Sequence, residues 1–299
     1  MNKKFIVVGI GELLWDIFKN EKKLGGAVAN FAYHVSSLGH KGIIISRIGN
    51  DKIGREAIDF LKELNLDTQY IQIDDNRPTG TVVVEMDDKN QPNYIIKEDV
   101  AYDFLEYSNK FNDILLSIDA ICFGTVAQRN EITRQTILRF LKTANNKAIK
   151  IFDINLRQNF FNEQIITESL KLANILKLNT EELEALGGIF HINKKYNEKD
   201  QCRFLISEFK LNLVCLTKGE EGSLIIDENS YFESPAYPYT VADRVGAGDS
   251  FVAAMIIQYL KGSQLSKISE YSNKLASWVT SKKGGTPIYD SEIKNIMNL

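Results

Sequence analysis

The chain has 299 residues, 44% of them hydrophobic and 25% charged, with a formal net charge of −3. That is the balance of a globular protein with a sizeable core, and it argues against a dedicated nucleic-acid binder. Cys122, Cys202 and Cys215 are scattered and odd in number, so they suggest neither a disulfide framework nor a metal signature and point to a reducing cytoplasm. Met1-Asn2-Lys3-Lys4 leads straight into a short apolar run, so neither a signal peptide nor a membrane span is expected.

In chain order, Phe5–Gly11 reads as a buried strand that ends at glycines. Gly9-Ile10-Gly11 could open a dinucleotide fingerprint, but the third glycine position is Leu14 and no helix start follows, which argues against a nicotinamide site. Gly25-Gly26 precedes a helix through Phe31, Ala32, Val35 and Leu38, ending near Gly39. A strand over 42–48 and a helix over 54–64 follow. Thr81–Met86 and Tyr94–Ile96 form a predicted hairpin around a polar turn at Asp87–Asn90, standing off the main body.

From Ala120 onward, strands and helices alternate regularly. Strands are predicted at 120–124, 149–154, 175–178 and 213–217, and helices at 131–143, 163–173, 180–186 and 199–208. The pattern predicts one α/β domain with an open, mostly parallel sheet covered on both faces and a small β excursion. Ligands on such a sheet sit at the carboxyl ends of its strands.

The most informative stretch is Thr240–Phe251, in which Gly246-Ala247-Gly248-Asp249 opens an apolar helix. A glycine loop at a helix start aims unpaired N–H groups at one point, with the positive end of the dipole behind them. That is an anion site. A carboxylate placed inside it makes sense as a base acting on a nucleophile that attacks the bound anion, which suggests phosphoryl transfer. The plain alternative is a turn whose aspartate belongs to an ordinary helix cap. Three other strand ends carry polar runs: Asp153-Ile154-Asn155-Leu156-Arg157, Lys177-Leu178-Asn179-Thr180-Glu181-Glu182 and Thr217-Lys218-Gly219-Glu220-Glu221-Gly222. Carboxylates and amides there can organise a hydrated magnesium ion, although Thr180 with Glu182 also reads as an ordinary helix cap.

Taken together, Gly25-Gly26 with Asn30, Asn179-x-x-Glu182 and Asp243–Phe251 occur in the order and spacing of the PfkB (ribokinase-like) carbohydrate kinases, which the chain resembles over nearly its whole length. The resemblance implies a three-layer α/β/α sandwich with a mostly parallel sheet and a small β lid, here built from about 13–24 and 79–102. It implies ATP and Mg²⁺ as cofactors. Asp249 matches the catalytic base, and Gly246, Ala247 and Gly248 match the anion hole. Asp16, Gly26 and Asn30 match sugar contacts, while Asn179 and Glu182 match the pair that orders magnesium through water. Thr217, Gly219 and Gly222 resemble the nucleotide stretch, Asn273 (with Gly284) resembles the adenine region, and Arg157 is a candidate for spreading charge. A K⁺ site near Asp243 occurs in some relatives.

Gly11–Asp16, Gly25–Ala32 and Asp153–Arg157 look most like bacterial fructokinases, so fructose is the expected substrate. Ribose or 2-keto-3-deoxygluconate, or a catalytically silent sugar- or nucleotide-binding protein, are the alternatives. Arg244 and Val245 depart from the usual threonine-containing signature. An arginine there could attract a sugar carboxylate, pair with phosphate or lie on the surface. A homodimer through the lid is the expected assembly, since an exposed hairpin edge needs covering. No membrane partner is expected. His34, His40 and His191 have no ligand spacing, so zinc is not expected. Trp15 is read as stacking on sugar or filling the lid base, Trp278 as core, and the pairs Lys3-Lys4 and Lys22-Lys23 as solvated.

Overall fold

A computed structural model describes residues 3–19, 21–86 and 92–299. The first half contains β1 (Ile6–Ile10), β2 (Leu14–Ile17), β3 (Lys22–Gly25), α1 (Ala27–Ser37), β4 (Lys41–Gly49), α2 (Lys52–Glu63), β5 (Ile71–Asp74), β6 (Gly80–Met86), β7 (Pro92–Ile96), α3 (Asn112–Leu115), β8 (Ala120–Phe123) and α4 (Glu131–Thr143). The second half continues with β9 (Ile149–Asp153), α5 (Glu163–Leu172), β10 (Ile175–Asn179), α6 (Thr180–Ile189), α7 (Glu198–Phe209), β11 (Leu213–Thr217), β12 (Ser223–Ile226), β13 (Tyr231–Ser234), α8 (Ala247–Leu260), α9 (Leu265–Thr280) and α10 (Ser291–Met297).

The main sheet runs β13-β12-β11-β10-β9-β8-β1-β4-β5, parallel from β11 to β5, with β12 and β13 added antiparallel. Its strands are apolar on both faces because helices cover both. Val8, Ile43, Ile45, Val214 and Leu216 face one core, shared with α4 to α7. Their neighbours Val7, Ile44, Leu213 and Cys215 face the other, shared with α1, α8, α9 and α10. The two-residue period of a strand thus sorts its side chains into two cores. Helix α8 is buried along Ser250–Gln258 and packs against both α1 and α9, which accounts for its lack of a polar face.

A second sheet, β3-β2-β6-β7, stands at one end of the first. β2 pairs antiparallel with β3 and parallel with β6, and β6 pairs antiparallel with β7, so the expected hairpin is one edge of a four-stranded sheet. The expected turn at Asp87–Asn90 lies outside the described residues. Leu14, Val82 and Ile96 belong to one core of the main body and Trp15 to the other, so the second sheet is rooted in both. Trp15 fills that base: it is 5% exposed, and its Nε1 donates to the Ile53 carbonyl at 2.9 Å.

Helix α2 begins two residues before the expected Gly54. Asp51 is its cap, and the Gly54 N–H is the donor that cap binds, at 2.7 Å. The same carboxylate accepts from the backbone N–H and the hydroxyl of Thr79, each at 2.8 Å, which ties the start of β6 to α2. No helix among the described residues is long and apolar enough to cross a membrane.

Candidate active site

Helix α8 starts at the carboxyl-end side of the main sheet, where Gly246 has φ +77°. A Cβ at that position would come within 2.5 Å of the Gly285 Cα, so only glycine fits. Among the described residues no side chain caps this helix, and its first-turn N–H groups lack intrahelical partners. Asp249, in that first turn, does not fold back to cap them. Its Oδ2 instead accepts from Asn30 Nδ2 of α1 at 2.8 Å. Burial pushes the Asp249 carboxyl up to about 7, with the Asp153 carboxylate acting the same way. Asn30 and Lys177 oppose the rise, and Glu12 adds to it. The group is therefore poised to hold and release a proton near neutrality.

Beneath this loop lies a buried ion pair that sequence reading missed. Lys177 of β10 and Asp153 of β9 are register partners, with Nζ 3.0 Å from Asp153 Oδ1. Burial alone would lower the lysine, but Asp153, with Glu182 and Asp249, holds it above its usual value. A Cβ on Gly248 would stand 3.1 Å from Nζ, so the ammonium sits directly against the anion loop. The available signal was a lone lysine in the apolar run Ile175-Leu176-Lys177-Leu178, because a charge buried in a parallel strand needs a partner.

Asn179 and Glu182 form a reciprocal capping box at α6. Glu182 N–H donates to Asn179 Oδ1 and Asn179 N–H to Glu182 Oε2, each at 2.8 Å, while Leu156 N–H donates to Glu182 Oε1 at 3.0 Å. Burial raises the Glu182 carboxyl against the pull of Lys177. Each carboxylate oxygen accepts one amide N–H and keeps a further lone pair, which a metal-bound water can use. The pair fits a magnesium ion that keeps its waters and is held mainly by phosphates. Among the described residues no cluster of three or more His, Cys, Asp and Glu side chains could bind a metal directly.

On the second-sheet side, Gly26 has φ +102°, and a Cβ there would collide with the Glu12 carbonyl oxygen. Glu12 is buried, and its Oε1 accepts from the Ala27 N–H at 3.2 Å, occupying the start of α1. Asp16 of β2 is pushed up to about 6 by burial and by Asp243, against Lys23. Lys23 corrects the expectation of a solvated pair: its ammonium lies 3.1 Å from Asp243 Oδ2, joining β3 to the anion loop. Val245 and Gly284 N–H groups also donate to Asp243, at 3.1 and 3.0 Å. Lys22 instead lies over the Trp15 ring and pairs with Glu56.

At the end of β11, Thr217 Oγ1 donates to the Leu178 carbonyl at 3.3 Å, and the following loop closes with Lys218 N–H donating to Gly222 O at 2.8 Å. Gly222 has φ +96°, and any side chain there would collide with Ser234 O. Asn273 is 5% exposed and donates from Nδ2 to Ser223 Oγ at 2.7 Å and to Ser269 O at 2.9 Å, so its polarity serves an internal network between α9 and β12. Arg157 is exposed, with Nη1 donating to the neighbouring Leu156 carbonyl at 2.9 Å. Arg244 reaches Glu220 at 2.8 Å on the surface. Of the histidines, His34 is buried in α1 between Tyr289 Oη and Gly285 O, each at 2.9 Å, and burial pushes it down to about 4.

An open helix start with a carboxylate in its first turn stands at the strand ends of a three-layer α/β/α fold, an arrangement suited to binding an anion. The pfkB family carbohydrate kinase model matches residues 6–291, and the chain belongs to that family, whose reaction phosphorylates a sugar with ATP. A sugar kinase of Pyrococcus horikoshii is 31% identical over 316 residues, covering 98% of this chain and 97% of that protein. The crystal structure of that P. horikoshii kinase with ATP has a TM-score of 0.80 at 30% identity, covering 94% of each chain. A fructokinase from Vibrio cholerae with fructose, ADP and potassium bound shares the fold, with a TM-score of 0.79 at 23% identity over 96% of each chain.

Proposed function

We propose that this kinase transfers the γ-phosphoryl group of ATP to a primary hydroxyl of fructose, giving fructose 6-phosphate. The observation that carries the reading is Asp249, a half-buried carboxylate near its own titration point in an otherwise uncapped helix start. In this reading Asp249 takes the proton from the sugar hydroxyl as that oxygen attacks phosphorus. The Gly246, Ala247 and Gly248 amides hold the developing charge. Asp16, Gly26 and Asn30 orient the sugar, and Asn30 also aims the base. Thr217, Gly219 and Gly222 carry the nucleotide, with Asn273 shaping the far end of its cleft, and Arg157 spreads charge from the rim. Asn179 and Glu182 order the waters of a magnesium ion, which when bound neutralises charge on the phosphates. The second sheet acts as a lid that excludes water. Its pairing across a two-fold axis is part of the proposal, tested by sedimentation.

Fructose is preferred over an acidic sugar for two reasons. The curated relatives include a probable fructokinase of Arabidopsis thaliana, 26% identical over 96% of this chain and 93% of that protein. Arg244, the residue that could have met a sugar carboxylate, is turned to Glu220. ADP release with fructose, ribose, adenosine and 2-keto-3-deoxygluconate tests the assignment. The highest kcat/KM is expected with fructose. A preference for the acidic sugar overturns the substrate, and ATP binding without turnover on any of the four overturns the kinase reading.

A further inference from the structure

Among the described residues, Lys177 is the buried cation that acts on both Asp249 and Asp153. Asp249 of α8 faces Asp153 from β9 and Glu12 from the turn after β1, with Asn30 of α1 as its hydrogen-bond donor. The Cys122 thiol of β8 lies in the same neighbourhood and is kept protonated by burial. The Glu182 carboxylate of α6 also acts on Lys177. Replacing such a buried ion pair with apolar side chains of similar volume commonly costs no stability, so packing alone does not call for one here. Its position is more informative. Nζ is bound to Asp153 at 3.0 Å and stands against Gly248, where a single added carbon would lie 3.1 Å from it.

We propose that Lys177, held by Asp153, is a positioning residue for phosphoryl transfer. Its fixed ammonium supports the loop backbone at Gly248 and offsets the carboxylates that the base Asp249 faces. The inference rests on the reading of Asp249 as base. Without Lys177, burial together with Asp153 and Glu12 keeps Asp249 protonated at neutral pH and unable to accept the sugar proton. Without Asp153, the ammonium faces Asp249 with one less competing anion, and Asp249 ionises at lower pH. A pair that served only to fix strand register would lower activity or stability without moving the ionisation of Asp249.

The test is kcat against pH at saturating ATP and sugar for the wild type, Lys177→Met, Asp153→Asn and the double variant, with Lys177→Gln in place of Lys177→Met if the latter does not fold. The acid limb is expected to move up by about one pH unit or more in the lysine variant, down in Asp153→Asn, and back to near the wild-type position in the double variant. At neutral pH the lysine variant should lose roughly tenfold or more in kcat and recover part of it as pH rises. Limbs that superimpose on the wild type in both single variants, whatever the loss in kcat, overturn the proposal. The same variants, followed by the ¹³C carboxyl titration of Asp249, read out the charge effect without turnover. A wild type that binds ATP but phosphorylates no sugar therefore defeats the kinase reading separately from the inference about Lys177.

Discussion

Helices α1 and α8 meet at Asn30 and Asp249, and both start at a glycine with positive φ, yet their N-termini are treated in opposite ways. At α1 the buried Glu12 carboxylate accepts the Ala27 N–H. At α8 nothing among the described side chains does the same, and the one carboxylate in the first turn is directed to the other helix. Asp51, Asn130, Asn162, Asn179, Asn197 and Asp290 each cap their own helix, while α9 starts after Gln264 without a side-chain cap and without an acid in its first turn. A helix start that the chain leaves open, beside a half-buried acid, is suited to a ligand anion, whereas one that the chain fills itself is structural. Damage at the start of α8 should therefore appear in turnover, and loss of the Glu12 contact at the start of α1 mainly in stability.

The largest effect is expected at Asp249. Asp249→Asn should lower kcat by roughly 10²–10⁴ while ATP binding persists. Parallel loss of nucleotide binding, measured by calorimetry, would instead make the residue structural. Stability should move the other way. The folded-state pKa is raised from 3.8 to about 7, so the folded protein binds the extra proton between those values and loses stability as pH rises through that window. Asparagine cannot ionise. The variant should therefore melt above the wild type at about pH 8, with the difference vanishing near pH 4.

Next in size is Gly246→Ala, which puts a Cβ 2.5 Å from Gly285 Cα at φ +77° and must shift the loop. A loss of roughly 10–100-fold in kcat is expected, since each misplaced donor of such a hole costs about that or more. The matching change at the other helix is Glu12→Ala, which leaves the Ala27 N–H without its acceptor. An unfolding free energy lower by about 1–3 kcal/mol is expected in a denaturant titration, with a smaller loss of kcat than at Gly246. If the α1 change costs more turnover than the α8 change, the two helix starts are not divided as described.

Much of this comparison was legible in the residues. The glycine-alanine-glycine loop before Asp249 suggests an open helix start by composition, and the polar run at 179–182 suggests a helix cap, although the cap is Asn179 and not the expected Thr180. The parallel core strands are readable because strands buried on both faces become unbroken apolar runs. The second sheet was legible only as segments. Strands β2 and β3 are four residues each, too short to show a period, and their pairing with β6 is non-local. For the same reason Lys23 could not be matched with Asp243, 220 positions away, nor Lys177 with Asp153 on an adjacent strand. Partners brought together by topology leave no local trace. Asn273, which the resemblance assigns to the adenine region, has its amide on Ser223 and Ser269 in the interior, partners that the local sequence does not name.

The smallest effect is expected at Arg244, and it sharpens the comparison from outside. The side chain sits two residues before Gly246 and could have served the open helix start as an anion clamp. It is 74% exposed and paired with Glu220, which is 78% exposed. An ion pair that open to solvent contributes little, because water screens the charges and two long side chains must be held still. Arg244→Ala should therefore leave kcat/KM for fructose within about twofold. Assay of the same variant with 2-keto-3-deoxygluconate separates the two roles. A selective loss of the acidic sugar would mean that the guanidinium leaves Glu220 for a substrate carboxylate, and the α8 start would then depend on a side chain after all. Equal, small changes for both sugars leave the anion site to backbone amides and to the lysine beneath them.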